Sequence, residues 1–504
     1  MRIVHISTSD VGGGAARSAY RLFQGLQGLG QECSMLVRRK FSTDRAVCQA
    51  LLDDSKAANE LERQLRRIRK DCVERNRTAI SNTLFSLPAP GYDLSGHHQI
   101  QDAEIIHLHW ISDFLAPPGI GTLQRLGKPV VWTLHDERAF TGGCHFTAGC
   151  RRFETDCKAC PQLSLADFLL SETSLRESLQ CIGPDLVVVC PSRWLADSAR
   201  RSALFGRARV EVIPYGIDTE VFKPQRAAAR QRLGMEPDGI YLLSGADALV
   251  EHRKGFELLA DAIRQGMAEP VFREAVLGKR VQFLVFGSNK SLPAMEAPVR
   301  SLGRFDSDAA LAEIYAACDA FLLPSTEDNL PNTMLESICS GTPVIGFDVG
   351  GLPEAIQSGQ NGLLVPAGNI AQLARAIRDL VLDPNLRRQL AENCSTEAAA
   401  RFALREQAGR YLALYGELRG RCQSLRSAGT PVAVQPLTPF GEPFARFYPA
   451  LQRRARQERR KRFWRKLERL FLPAIMRIAV VALGGLGKTW AITNDVGAYS
   501  TVCL

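Results

Sequence analysis

Two acidic side chains, Asp328 and Glu336, lie with seven residues between them in the stretch FLLPSTEDNLPNTMLESICSGTPVIGF, residues 321–347. The stretch reads as a buried strand, a loop rich in Pro, Ser, Thr and acids, a helix and a second buried strand. Pro331 sits where a first helical residue belongs and Gly341 where a helix stops. From Pro331 to Glu336 such a helix rises roughly 7 Å, so the two carboxylates face one cleft about a sugar-nucleotide's length apart. Between them the free N–H groups of the helix start, at Asn332 and Thr333, offer a seat for phosphate. The chemistry this predicts is the holding of a nucleotide sugar.

Other residues fit the same ligand. His252-Arg253-Lys254-Gly255 opens a helix, and cations there are unfavourable for the helix dipole unless an anion offsets them. Arg253 and Lys254 are therefore candidate diphosphate ligands, against the alternative of an exposed basic turn. The turn Gly12-Gly13-Gly14 follows the first strand and starts a helix. Its N–H groups at Gly13 and Gly14, with Arg17, either line a cleft or only let the helix pack. His109 and Trp110, and His135 and Asp136, follow two apolar runs, at the strand ends where open α/β sheets bind ligands. Each histidine has a structural reading as well. Gly350 and Gly351 form another turn at a strand end. Cys144, Cys150, Cys157 and Cys160 crowd into one loop, with spacing that suits a structural zinc site; free thiols or disulfides are the alternatives. Four thiolates leave no open position for a catalytic metal.

The elements that must position these residues are strands at about 2–7, 32–37, 105–110, 130–134, 186–189, 210–213, 241–244, 281–286, 321–323 and 343–347, alternating with helices. That alternation predicts an α/β fold with parallel sheets. The linker IPYGIDTEVFKP divides an N-terminal domain, 1–208 with the cysteine-rich loop 142–162, from a domain at 209–420. Residues 50–80 read as a solvated helix. Asp306-Ser307-Asp308 matches a D-x-D metal–nucleotide motif formally and reads better as a helix cap.

Composition agrees with a globular chain: 504 residues, 45% hydrophobic and 23% charged, enough for two or three domains. The N-terminal apolar run reads as a strand, not a signal peptide, and fourteen scattered cysteines then point to reduced thiols in the cytosol. The net charge of +10 is concentrated at residues 451–469, where ten Arg or Lys stand against two Glu. In this C-terminal extension, 421–504, Phe463, Trp464, Leu467, Leu470 and Phe471 recur at helical spacing on a basic helix, the composition of an interfacial membrane helix. The run that follows contains Pro473 and Arg477, which disfavour spanning. A phosphate-binding-loop look-alike, ALGGLGKT at 482–489, has only 15 residues after it, too few for an NTPase domain. Nucleic-acid binding is not expected, since the aromatic residues sit on the apolar face.

The motifs GGGAAR, HLHW, TLHD, PSRWLADSAR, IPYGIDTEVF, RKGF, PSTEDNLPNTMLESICSGTPVIGFDVGGLPE and NGLLVP, in this order over about residues 1–420, resemble the retaining glycosyltransferases of family 4. With its cysteine-rich loop the chain is similar to the enzymes of exopolysaccharide assembly such as the colanic acid transferases. The resemblance implies the GT-B fold: two Rossmann-like doubly wound domains facing a central cleft, here with a basic C-terminal helical extension. It implies a hexosyltransferase-type transfer of sugar from a UDP- or GDP-sugar to a lipid-linked saccharide acceptor, needing no cofactor for catalysis, at the cytoplasmic face of the plasma membrane. Glu336 would hold the ribose, Asp328 the sugar hydroxyls, and His135 would contact the sugar near its reacting carbon. Arg17, His109 and Asp136 fall on the acceptor side. Two departures stand out. The family's first acid is usually Glu, where this chain has Asp328 beside Glu327; its arginine falls at Ala248, so Arg253 takes that part. A nucleotide-sugar epimerase and a non-catalytic zinc-containing scaffold of the same fold are the competing readings.

Overall fold

The computed structural model describes residues 1–50, 56–81, 84–164, 169–246, 251–287, 295–305, 307–426 and 442–484. Ala248, Asp306 and residues 485–489 of the loop look-alike lie outside them. Among these residues β1 (Arg2–Ser9), β2 (Glu32–Arg39), β3 (Val47–Gln49), β4 (Ile105–Leu108), β5 (Val130–Thr133), β6 (Val187–Cys190) and β7 (Arg209–Val212) form one sheet in the order β3-β2-β1-β4-β5-β6-β7. A second sheet holds β8 (Ile240–Ala246), β9 (Val281–Gly287), β10 (Val299–Gly303), β11 (Ala320–Leu323), β12 (Val344–Asp348) and β13 (Gly362–Pro366) in the order β10-β9-β8-β11-β12-β13. Every pairing between these strands is parallel. In each sheet the strand order reverses beside the first strand, at β1/β4 and β8/β11. The crevice beyond the strand ends at such a switch point is where doubly wound sheets take ligands. The two Rossmann-like domains expected from the sequence are present.

The helices that matter for the site are α1 (Gly14–Gly28), α2 (Arg193–Arg201), α3 (Phe256–Met267), α4 (Asp308–Ala317), α5 (Asn332–Cys339), α6 (Leu404–Arg426) and α7 (Glu442–Gly484). Gly13 precedes α1 with φ 96°, a backbone state that a side chain disfavours. Ser307 caps α4 by accepting from the Ala310 N–H, which is the role its position suggested. Pro331 is the N-cap of α5, not its first residue: its ψ of 132° is extended, and the helix begins at Asn332.

Three boundaries differ from those read in the sequence. β7 pairs with β6, so the first sheet continues past residue 208 to Val212. Helix α6 leaves the second domain's stretch and covers the first sheet: Ala408, Tyr411, Leu414 and Tyr415 pack with Ile3, Phe23, Val37 and Val189. Those four residues recur at the three- and four-residue spacing of a helical stripe. The helix expected to be solvated, here Lys56–Ile68 continued by a π turn to Val73, buries Leu65, Ile68, Cys72 and Val73. By contacts the chain divides into Met1–Tyr448 and Pro449–Leu504. No helix of the described residues is long and apolar enough to cross a membrane.

Candidate functional site

Asp328 sits in the loop after β11, buried, with three partners. Its Oδ2 is 2.6 Å from Lys254 Nζ and accepts from Ser325 Oγ at 3.1 Å, and its Oδ1 is 3.1 Å from an Arg253 guanidinium nitrogen. Burial alone would raise the carboxyl pKa; Lys254 and Arg253 outweigh it and hold the pKa at about 2. Lys254 is itself lowered, first by burial and then by neighbouring Arg253. Arg253 also reaches Glu251 at 2.9 Å and lies 4.3 Å from the Phe146 ring centroid. The cations are fixed by the turn ahead of α3: at Gly255, φ 66°, a Cβ would fall 1.9 Å from the Pro324 carbonyl oxygen. Only glycine lets that turn meet the acid loop. Glu327 points elsewhere. Its carboxylate accepts from the Ala148 N–H at 3.1 Å, beside Glu137, which accepts from the Thr147 N–H at 2.7 Å. Burial and the neighbouring Glu327 raise the Glu137 pKa to about 8.

Glu336, inside α5, is ion-paired rather than free. Arg21 of α1 donates to its Oε1 at 2.8 Å and to Asp308 Oδ2 at 2.8 Å. Arg17, one turn earlier, lies 3.6 Å from Asp308. Asn332 Nδ2 donates to the Gly14 carbonyl and to Ser18 Oγ, both at 2.8 Å. The starts of α1 and α5 therefore face each other, one from each sheet. Between them is a cleft of about 570 Å³ lined by Gly12–Gly14, Arg17, His135, Asp136, Arg253, Lys254, Asp328, Asn332, Thr333 and Glu336, among others.

His135 closes the β5 side. Its Nδ1 is 2.7 Å from Tyr215 Oη, and its Nε2 is 3.4 Å from His109 Nδ1. His109 in turn bonds His5 at 3.0 Å. Burial lowers the His135 pKa to about 4 and keeps His5, His107 and His109 neutral as well. Asp136 accepts from Trp110 Nε1 at 2.9 Å and pairs with His145 at 2.7 Å. His5, His107 and His109 are the one set of three or more metal-type ligands among the described residues with ligand atoms within 4.8 Å of one another. The hydrogen bonds of His107 go to Thr133 and Tyr415 and those of His109 to His5 and His135, which reads as a neutral core network.

Several expected residues stand elsewhere. His109 is buried behind His135 and does not line the main cleft. Gly350 and Gly351 also stay out of it: their missing side chains make room for the acid loop, since a Cβ would fall 1.7 Å from the Asp328 carbonyl oxygen and 2.0 Å from that of Asn329. The four loop thiols line one small cavity, although no three of their sulfurs lie within 4.8 Å of one another. Arg21 and Tyr215 were not expected. Arg21 follows Arg17 by one helical turn on the same face, a signal that could have found it; Tyr215 has none.

A family model described as Glycosyltransferase Family 4 matches residues 12–221, and one described as Glycosyl transferases group 1 matches residues 242–383. The chain is 30% identical over 344 residues to the D-inositol 3-phosphate glycosyltransferase of Actinosynnema mirum, covering 64% of this chain and 74% of that one. It is 33% identical over 320 residues to that of Acidothermus cellulolyticus, covering 58% and 63%. Among solved structures it is similar in fold to sucrose-phosphate synthase from Thermosynechococcus elongatus (TM-score 0.58, 19% identity, 83% of this chain and 99% of that one). It is likewise similar to Anabaena HepE in complex with UDP-glucose (TM-score 0.54, 16% identity, 82% and 99%). By its sequence relatives and its two facing sheets, the chain belongs to the group 1, family 4 glycosyltransferases and has their GT-B fold.

Proposed function

We propose that this glycosyltransferase moves a hexose from a nucleotide-sugar donor to a lipid-linked saccharide, with retention of the anomeric configuration, in the assembly of a surface or exopolysaccharide. The observation that carries the reading is the cleft in which Asp328, Lys254, Arg253 and the N–H groups of α5 face Gly13, Gly14 and His135. Lys254, Arg253 and the helix start stabilise charge on the departing diphosphate, the largest kind of term open to such chemistry. Asp328, kept ionised, and Glu336 accept from donor hydroxyls. Neutral His135 lines the cleft near the reacting carbon without adding a cation. Both carboxylates are engaged by cations, which favours a front-face transfer over a double displacement through an enzyme carboxylate. In that transfer the acceptor hydroxyl attacks the anomeric carbon as the bond to the diphosphate breaks, and the departing phosphate oxygen takes the acceptor's proton.

HepE was solved with UDP-glucose, so UDP-sugars are the first donors to test, then GDP-sugars, by thermal shift. Transfer of labelled sugar into a lipid extract, with the product anomer assigned by NMR, tests the acceptor and the stereochemistry. A second reading is favoured by the relatives' names: an inositol phosphate acceptor. Label appearing on inositol phosphate and not on lipid selects it. Membrane association through α7 belongs to the first reading; Phe463 and Trp464 are 60% and 62% exposed there.

A further inference from the structure

Two arginines near the cysteine-rich loop keep guanidinium nitrogens that no acceptor meets. Arg77 has a buried guanidinium nitrogen, Nη1, with no hydrogen-bond partner, and Arg138 has another, Nε. Among the described residues neither side chain forms an ion pair or a hydrogen bond. Removing an arginine from water without a partner is costly, and burial lowers the pKa of both. Arg77 lies on the loop's side of the fold, and Arg138 lines the neighbouring pocket with Trp110 and Asp136. Arg77 pairs its backbone with Leu163, next to the Cys157–Cys160 turn, and lies over Phe85, whose backbone pairs with Cys144. It is within electrostatic reach of Cys144, Glu74 and Cys160, and Arg138 is within reach of Asp136 first and then of Cys144, Asp113 and Cys157.

The four sulfurs share one small cavity. Gly142 N–H donates to Cys157 Sγ at 3.2 Å. Ala148, Cys157 and Ala159 hold φ values of 51°, 56° and 50°, and three non-glycine residues in the left-handed region persist only where the surroundings over-determine them.

We propose that Cys144, Cys150, Cys157 and Cys160 bind one structural zinc ion as a tetrathiolate whose charge Arg77 and Arg138 offset in part. Zn²⁺ displaces four thiol protons to solvent and leaves a centre of net charge −2, which the two guanidinium groups offset in part. With Zn–S near 2.3 Å, the sulfurs of a closed site stand about 3.8 Å apart, so metal binding draws the loop inward from its wider spacing. The same loop gives N–H groups to Glu137 and Glu327, one residue from Asp328. Zinc thus braces the acid loop from behind and leaves the transfer itself metal-independent.

The test uses the full chain purified without chelators from zinc-replete cells. Elemental analysis is expected to find about one zinc per chain, released as a mercurial reagent titrates the four thiols. Arg77→Met with Arg138→Met retains every ligand and is expected to weaken zinc about 10- to 100-fold in a chelator competition. Arg151→Met, at an exposed arginine of the same loop, leaves the affinity unchanged. A metal-free chain with a Cys157–Cys160 disulfide by mass overturns the proposal, as do four freely reactive thiols with a melting temperature indifferent to added zinc. Iron in place of zinc overturns the metal's identity. Equal zinc affinity in the double arginine variant overturns the charge-balance argument.

Discussion

Asp328→Ala removes the one carboxylate that both Lys254 and Arg253 touch. Breaking a buried pair from one side strands the other charge, so the variant is expected to lose about 3 kcal/mol of stability. Bound donor diphosphate restores part of that, so the variant's melting temperature rises more with UDP than the wild type's does. Its transfer rate falls at least about 100-fold, an oxyanion-hole-sized effect. Glu327→Ala, whose carboxylate faces Ala148, is expected to keep the rate within about threefold, and equal losses in the two variants would put the wrong acid in the cleft. Arg21→Met strands Glu336 similarly. It is expected to raise the KM for the donor more than it lowers kcat, because Glu336, proposed to hold the ribose, then loses its orientation; steady-state kinetics with varied donor checks this. The difference between these two sites is also a difference in legibility. Asp328, Lys254 and Gly255 each sit in a turn with a local signal. Arg21 shares a helix face with Arg17, a local signal, but its partner lies 315 positions away, and no local spacing encodes that pairing. Glycines 350 and 351 were legible as a turn, but their task, making room for a carbonyl, exists only after folding.

At the scale of elements, β1, β4 and β5 place histidines in a dry network: His5, His107 and His109, with His135 at the cleft. Burial depresses all four pKa values, to about 3 for His5 and about 4 for His135. The unfolded chain takes up protons on these rings from about pH 6.5 downward while the folded chain does not, so each ring lowers stability by up to about 1.4 kcal/mol per pH unit. Stability is full above that pH and falls as pH drops toward about 4 for His135 and about 3 for His5. Glu137, raised to about 8, acts in the opposite sense, its contribution fading as pH rises through that value. Chemical denaturation between pH 7.5 and 5 is expected to show the acid-side loss, reduced by about one proton in His5→Leu; a flat profile refutes the neutral network. The strands bearing these residues were legible because they are apolar and buried. β10 was not, since it is an edge strand of five residues with none buried, and β3, three residues long, is below any periodicity. The reach of α6 was illegible too, because a helical stripe says what it wants to bury and not which sheet supplies it.

For the whole molecule, the contact boundary at Tyr448 separates both sheets and the cleft from the basic part of α7. A chain ending at Tyr448 is therefore expected to retain donor-induced thermal stabilisation, whereas one ending at Arg419 cuts α6, which covers the first sheet, and is expected to melt lower. The removed part contains residues 451–469 with ten Arg or Lys against two Glu, and Phe463 and Trp464 stand exposed beside them. Near an anionic surface each basic residue contributes about 1 kcal/mol, and two large aromatic rings add apolar anchoring at the interface. The full chain is accordingly expected to sediment with vesicles containing phosphatidylglycerol, to release as salt screens the charges, and to ignore neutral phosphatidylcholine vesicles. The Tyr448 truncation should stay in the supernatant with either lipid. Phe463→Ser with Trp464→Ser keeps the charge and loses the anchor, so it is expected to bind anionic vesicles about tenfold more weakly and to release at lower salt. Transfer to a lipid-embedded acceptor then falls with vesicle binding, while transfer to a water-soluble acceptor analogue does not. If the truncated chain sediments as well as the full one, the tail is not the membrane contact. If it also glycosylates lipid-embedded acceptor equally well, the surface for that acceptor lies within Met1–Tyr448.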